Sequence, residues 1–129
     1  MEGFPASNPA SEKPIVFIGS YHCEYTRQVY ASVRQTAERF GANLIFLDYP
    51  INEPNDYYAR LGYCVNQKDP TKFWQMNDRL FSGTIEEMDQ PGYVDQMLKD
   101  LGLNPAVING CTSDLQTINA VKEQLKQVV

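Results

Sequence analysis

Three cysteines stand in the 129 residues, at positions 23, 64 and 111, and no two of them are three residues apart. The chain therefore has no C-x-x-C pair to work as an internal dithiol couple. Histidine is scarcer still: His22 is the only one. No ligand pair has zinc spacing, so a metal site from His22, Cys23 and the distant cysteines is not expected. Basic residues are few, 11 Lys and Arg against 16 Asp and Glu, for a formal net charge of −5. Nucleic acids and anionic membrane surfaces need clustered Lys and Arg to meet phosphate, so neither is expected as a partner. No apolar run approaches the roughly 18–20 residues of a spanning helix, which argues against direct membrane insertion. The first 14 residues, from Met1 through Phe4, Pro5, Pro9 and Lys13 to Pro14, have no signal-peptide core and leave the compartment open. Residues 1–13 read as a flexible linker and 14–129 as one domain, large enough at 43% apolar residues for a real core. No repeat is present.

What is present centres on Cys23. It follows the apolar run Ile15-Val16-Phe17-Ile18 and the stretch Gly19-Ser20-Tyr21-His22, and it opens an amphipathic segment beginning Glu24-Tyr25-Thr26-Arg27. A thiol there sits where a buried strand turns into a helix, beside unpaired backbone N–H groups and the positive end of the helix dipole. That setting favours the thiolate, the reactive form of cysteine. Thr26 occupies the place of a partner thiol, so the site reads C-x-x-T. Its hydroxyl either bonds the thiolate or satisfies local backbone. His22 either polarises Cys23 or is a solvated strand-end residue. Tyr21 and Tyr25 either form an aromatic rim for a peptide or pack ordinarily.

The organisation along the chain is α/β. Residues 15–18 and 44–47 are continuous apolar runs suited to strands buried on both faces. Between them the spacing predicts a helix over 24–40 with Val29, Val33, Ala37 and Phe40 on its apolar face and Gly41 as its stop. This is a β-α-β unit. Helical punctuation follows: Pro54 before Tyr57, Tyr58, Leu61 and Cys64; Asp69-Pro70 before Phe73, Trp74, Met76 and Leu80, with Phe73 and Trp74 in the core; Thr84 with Glu87 as a capping box. A helix over 91–101 ends at Gly102, Asn104-Pro105 starts a short turn, and Ser113 with Gln116 opens a last helix carrying Leu115, Ile118, Val121, Leu125 and Val128.

In this order, a strand, Cys23 at a helix start, a strand ending in Tyr49-Pro50, then a helical block with Cys64-Val65-Asn66-Gln67, Lys72-Phe73-Trp74-Gln75-Met76-Asn77-Asp78-Arg79-Leu80-Phe81 and Leu101-Gly102-Leu103, the chain resembles the DsbA-like branch of the thioredoxin superfamily. The K-F-W-x-M-x-D-x-L-F stretch is its most specific piece, and the resemblance covers 14–129. It implies a thioredoxin-like fold interrupted by a helical block, an extracytoplasmic (periplasmic or membrane-tethered) location, and disulfide exchange with protein or peptide thiols and disulfides through Cys23. It further implies a structural bridge between Cys64 and Cys111, with two buried unpaired thiols as the alternative. A bridge closing a loop of about 48 residues would remove about 4 kcal/mol of unfolded-state entropy in the chain-entropy model. Two departures stand out. Thr26 replaces the resolving cysteine, and Glu24, next to the nucleophile, opposes thiolate formation by its charge. The family's last helix leads into a strand opened by a cis-proline. No such strand follows here before Val129, so a truncated sheet with an exposed edge and self-association are expected.

Three functions fit these residues. The leading one is a thiol-disulfide oxidoreductase-like domain acting through Cys23 alone, with His22 and Thr26 assisting and Tyr21, Glu24 and Tyr25 meeting the substrate. No bound cofactor is needed, but release of a mixed disulfide calls for glutathione or another external thiol. The second is a non-catalytic thioredoxin-like binding module. The third is a glutathione-dependent transferase or isomerase of the kappa-like branch, which shares the fold. A depressed Cys23 pKa favours the first over the second, and glutathione affinity favours the third.

Overall fold

A computed structural model of the chain describes residues 3–49 and 56–128. The expected β-α-β unit is present: β1 (Pro14–Gly19), α1 (Glu24–Arg39) and β2 (Asn43–Asp48), with the two strands parallel and Ile15 to Ile18 opposite Leu44 to Leu47. Six helices follow: α2 (Tyr57–Lys68), α3 (Pro70–Ser82), α4 (Ile85–Met88), α5 (Tyr93–Asp100), α6 (Pro105–Thr112) and α7 (Leu115–Val128). Local chemistry sets most of their ends. Asp69 accepts hydrogen bonds from the Thr71 and Lys72 amides ahead of Pro70. Thr84 and Glu87 form the reciprocal capping box. Gly41 and Gly102 adopt positive φ after α1 and α5, where a side chain would be strained.

One core joins the sheet to the helices. Ile15, Phe17, Leu44 and Phe46 on one face of the strands meet Tyr30 and Ala37 of α1, Leu61 and Val65 of α2, and Phe73, Met76 and Leu80 of α3. Trp74 is buried there too, as its position in the helical pattern predicts.

Several sequence readings need correction. The buried side of α1 carries Thr26, Tyr30 and Ala37, with Val33 packed beside them, while Phe40 is 62% exposed. The apolar face is thus rotated from the 29–33–37–40 phase, because Tyr30 is the large side chain that meets the core and Phe40 already belongs to the helix cap. Only β2 is buried on both faces; Val16 and Ile18 of β1 stay 46% and 55% exposed. The last helix begins one residue later than expected, with Asp114 accepting from the Gln116 amide while Ser113 ends α6. Leu115 is exposed, whereas Val121 and Thr117 are buried. Pro50, Pro54 and the side chain of Val128 lie outside the described residues.

From Phe4 to Ser7 the expected flexible linker is instead docked on the sheet. Ala6 bridges Ile45 in antiparallel fashion on the β2 edge away from β1. Ser7 N donates to Leu44 O at 2.9 Å and Phe46 N to Pro5 O at 3.0 Å, while Phe4 packs with Ile45 and Leu47 as a second small core. This segment covers the outer half of the second sheet face. By register Val16 and Ile18 share that face with Ile45 and Leu47, and they remain uncovered.

The Cys64–Cys111 bridge is present, with Cα atoms 6.0 Å apart, tying α2 to the end of α6. Cys23 is the free thiol.

Candidate functional site

Cys23 is the N-cap of α1, with extended backbone angles. Its amide donates to Ser20 O at 3.2 Å, and its carbonyl accepts from Arg27 N at 3.0 Å, which closes the first helical turn. The sulfur makes no capping hydrogen bond in this structure. The donors are nonetheless close enough to hold the thiol below its ordinary pKa. The Thr26 hydroxyl is the largest influence, followed by the Thr26 backbone amide; partial burial opposes them, the Tyr25 amide adds a smaller lowering, and the Glu24 carboxylate opposes most weakly. The lone pair of Thr26 Oγ1 is meanwhile engaged by Ser20 N at 3.3 Å, so its proton is free to point at the sulfur. Thr26 is buried at the foot of this turn against Gly19. A Cβ on Gly19 would stand 2.6 Å from Thr26 Cγ2 and 2.8 Å from the Phe17 ring. Glycine at the end of β1 is what allows α1 to seat Thr26 under Cys23.

The remaining expected site residues separate into two groups. Thr26, Glu24 and the half-buried Cys23 gather at the helix start, and Tyr25 projects outward, 72% exposed. Tyr21 is not a rim residue. It is 1% exposed, stacked on Phe81 at 5.0 Å, with its hydroxyl donating to Asn77 Oδ1. Burial follows from its place on the inward side of the strand-to-helix turn, over the core formed by α2 and α3. His22 turns toward the helical block: Nε2 lies 3.2 Å from Asp89 Oδ1, and its ring meets Tyr58 edge-on at 5.6 Å. Among the described residues no group of three or more His, Cys, Asp or Glu side chains could hold a metal ion.

Three residues that no sequence motif announces complete the setting. Arg27 donates to the Tyr21, Leu80 and Gly83 carbonyls and to Met88 Sδ. Asn77, fully buried, accepts from Tyr21 and donates to Tyr30 Oη at 3.3 Å. Asp89 receives His22. The usable signal was helical phase: once Thr26 and Tyr30 face inward, Arg27 lies beside them and cannot be an ordinary solvated cation.

No protein-family model matches the chain, and the search of curated proteins found no match. Solved structures do match. The thiol-disulfide exchange protein alpha-DsbA2 from Wolbachia pipientis superposes with a TM-score of 0.80 at 17% identity, over 97% of this chain and 66% of that one. A thioredoxin-like oxidoreductase from Silicibacter pomeroyi gives 0.79 at 17% identity, over 98% and 73%. Oxidised BdbD from Bacillus subtilis gives 0.75 at 14% identity, over 98% and 72%. The chain thus spans roughly two thirds to three quarters of the length of these proteins. A β-α-β unit with Cys23 at its first strand-to-helix turn, followed by a helical block, is the DsbA-like thioredoxin fold.

Proposed function

We propose that the chain is a thiol-disulfide exchange domain whose nucleophile is Cys23. The observation that carries this reading is the setting of that thiol, an N-cap cysteine whose pKa is lowered by the Thr26 hydroxyl and by the amides of Thr26 and Tyr25. The Cys23 thiolate attacks one sulfur of a protein or peptide disulfide, forming a Cys23 mixed disulfide and releasing the other sulfur as a thiolate. Thr26 cannot resolve the adduct, since a hydroxyl does not exchange with disulfides. An external thiolate, glutathione or another, attacks the mixed disulfide, restores the Cys23 thiolate and leaves with the new disulfide. The cycle has no net redox change unless the entering and leaving couples differ. In this reading the exposed Tyr25 ring and Glu24 carboxylate, the next two residues after Cys23, meet the substrate.

An extracytoplasmic location is part of the proposal. It is supported by the Cys64–Cys111 bridge, which persists in oxidising compartments, and by a similar periplasmic thioredoxin-like protein from Salmonella enterica serovar Typhimurium, TM-score 0.72 at 15% identity. No helix among the described residues is long and apolar enough to cross a membrane.

The test is trapping. Protein with its bridge intact is mixed with a peptide disulfide, quenched in acid and mapped by mass. One adduct on Cys23, cleared by glutathione and absent from Cys23→Ser, is the expected result. No adduct, or adducts only on Cys64 or Cys111, would refute exchange at Cys23 and leave a binding module.

A further inference from the structure

Arg27 is half-buried at the base of the Cys23 turn, and its guanidinium has an unusual set of partners. Nη1 lies 2.8 Å from Tyr21 O and 3.2 Å from Met88 Sδ; Nη2 lies 2.5 Å from Leu80 O and 2.8 Å from Gly83 O. The same group stands 5.5 Å over the Phe81 ring. Its partners come from three places: the loop two residues ahead of Cys23, the last turn and cap of α3, and the end of α4. Leu80 and Gly83 belong to the terminus of α3, where carbonyls have no partner within their own helix, so the fork also satisfies groups that burial would otherwise leave costly. On the other side of the loop a second link runs in parallel, His22 to Asp89 at 3.2 Å, while Tyr58 Oη donates to Met88 O at 2.7 Å.

Charge and geometry predict different roles for such an arginine. As a charge, Arg27 would act on the Cys23 thiol alongside the Thr26 donors, burial, the Tyr25 amide and Glu24, which weigh most on it. Its strongest contacts are instead with backbone carbonyls that fix where the loop runs. We propose that Arg27 is a positioning residue for Cys23, a planar fork that pins the Ser20–Cys23 turn to the α3–α4 corner and so holds the sulfur over the Thr26 hydroxyl and the Tyr25 and Thr26 amides. The proposal rests on Cys23 being the reactive thiol of the exchange reading. It makes the helical block an active part of the site.

The test uses Arg27→Lys and Arg27→Met in the oxidised chain of 129 residues. Lysine keeps the charge but has one ammonium where the fork reaches four acceptors. Folding is followed by circular dichroism and by the intact Cys64–Cys111 bridge, and the rate of iodoacetamide alkylation at Cys23 is followed against pH. The expected result is that both variants fold, that alkylation at pH 7 falls roughly fivefold in both, as for the loss of one ordinary hydrogen bond, and that the midpoint of the profile moves upward. A folded variant of either kind with wild-type alkylation would overturn the proposal. So would a lysine variant that behaves as wild type while methionine is slow, since charge would then suffice. If neither variant folds, the wild-type protein decides: resolved, slowly rotating Arg27 Nη protons by nuclear magnetic resonance support the pinned fork, and averaged ones contradict it. Alkylation keeps the two proposals distinguishable. A protein that alkylates readily but forms no mixed disulfide would refute exchange and leave the role of Arg27 standing.

Discussion

At the scale of single residues, reactivity depends on what surrounds one sulfur. Thr26 holds the position where a second thiol would make an internal couple, and its hydroxyl is the group that most favours the Cys23 thiolate. The hydroxyl therefore substitutes electrostatics for redox resolution. Thr26→Val keeps the shape and removes the donor. It should slow Cys23 alkylation at pH 7 by roughly fivefold, the worth of about 1 kcal/mol for one hydrogen bond at a partly exposed anion, without unfolding the chain. A pH series of alkylation rates reads this out, and an unchanged profile would show that the helix amides alone set the pKa. Tyr25 and Tyr21 illustrate how little two similar side chains reveal in sequence. Both flank the cysteine as tyrosines, yet one is 72% and the other 1% exposed, because the turn between strand and helix reverses which side is inward. That reversal is a backbone property, and residue type does not encode it.

At the scale of elements, caps were legible and faces were not. Asp69-Pro70 and the Thr84–Glu87 box define helix starts through contacts within four residues, so the sequence contains all the participants. The phase of α1 depends on what lies across the interface. Tyr30 stacks on Phe81 at 4.4 Å and donates to Asp78 Oδ1 at 2.7 Å, partners about fifty residues away. The same applies to β1: Ile15-Val16-Phe17-Ile18 reads as a fully buried strand, but its second face is open because only the β2 half of that face has a cover. The cover is the N-terminal segment, whose two prolines and lack of periodicity hide a docked strand-like stretch. Phe4→Ala should accordingly cost about 2 kcal/mol, below the usual range for a large core side chain because the site is peripheral, and should expose residues 3–13 to proteolysis. Urea denaturation with limited proteolysis checks both, and an unchanged midpoint with a protected segment would mean that the backbone bonds of Pro5 and Ser7 suffice.

At the scale of the whole molecule, the two-stranded sheet is small and most of the core lies among helices, so a covalent tie between α2 and α6 carries weight. Replacing Cys64 and Cys111 together by alanine should lower stability by about 2–4 kcal/mol in urea denaturation while leaving Cys23 as reactive as before. A loss of Cys23 reactivity in a still-folded variant would show that the bridge shapes the site as well as the fold. The pH dependence follows from the direction of the Cys23 shift. Because the folded thiol has the lower pKa, its contribution to stability is fully present above the unfolded thiol's value and is lost as pH falls through the folded value. Wild type should therefore gain on Cys23→Ser as pH rises between those two points, and the same window should contain the rise in alkylation rate.

The most direct measurement is the pH–rate profile of iodoacetamide alkylation at Cys23 in the oxidised wild-type protein, with the modified residue identified by mass mapping. A single modified site at Cys23 whose rate reaches half its plateau clearly below the ordinary thiol pKa is the predicted result. A midpoint at or above that ordinary value, or modification first at another cysteine, would contradict an activated thiolate at the head of α1.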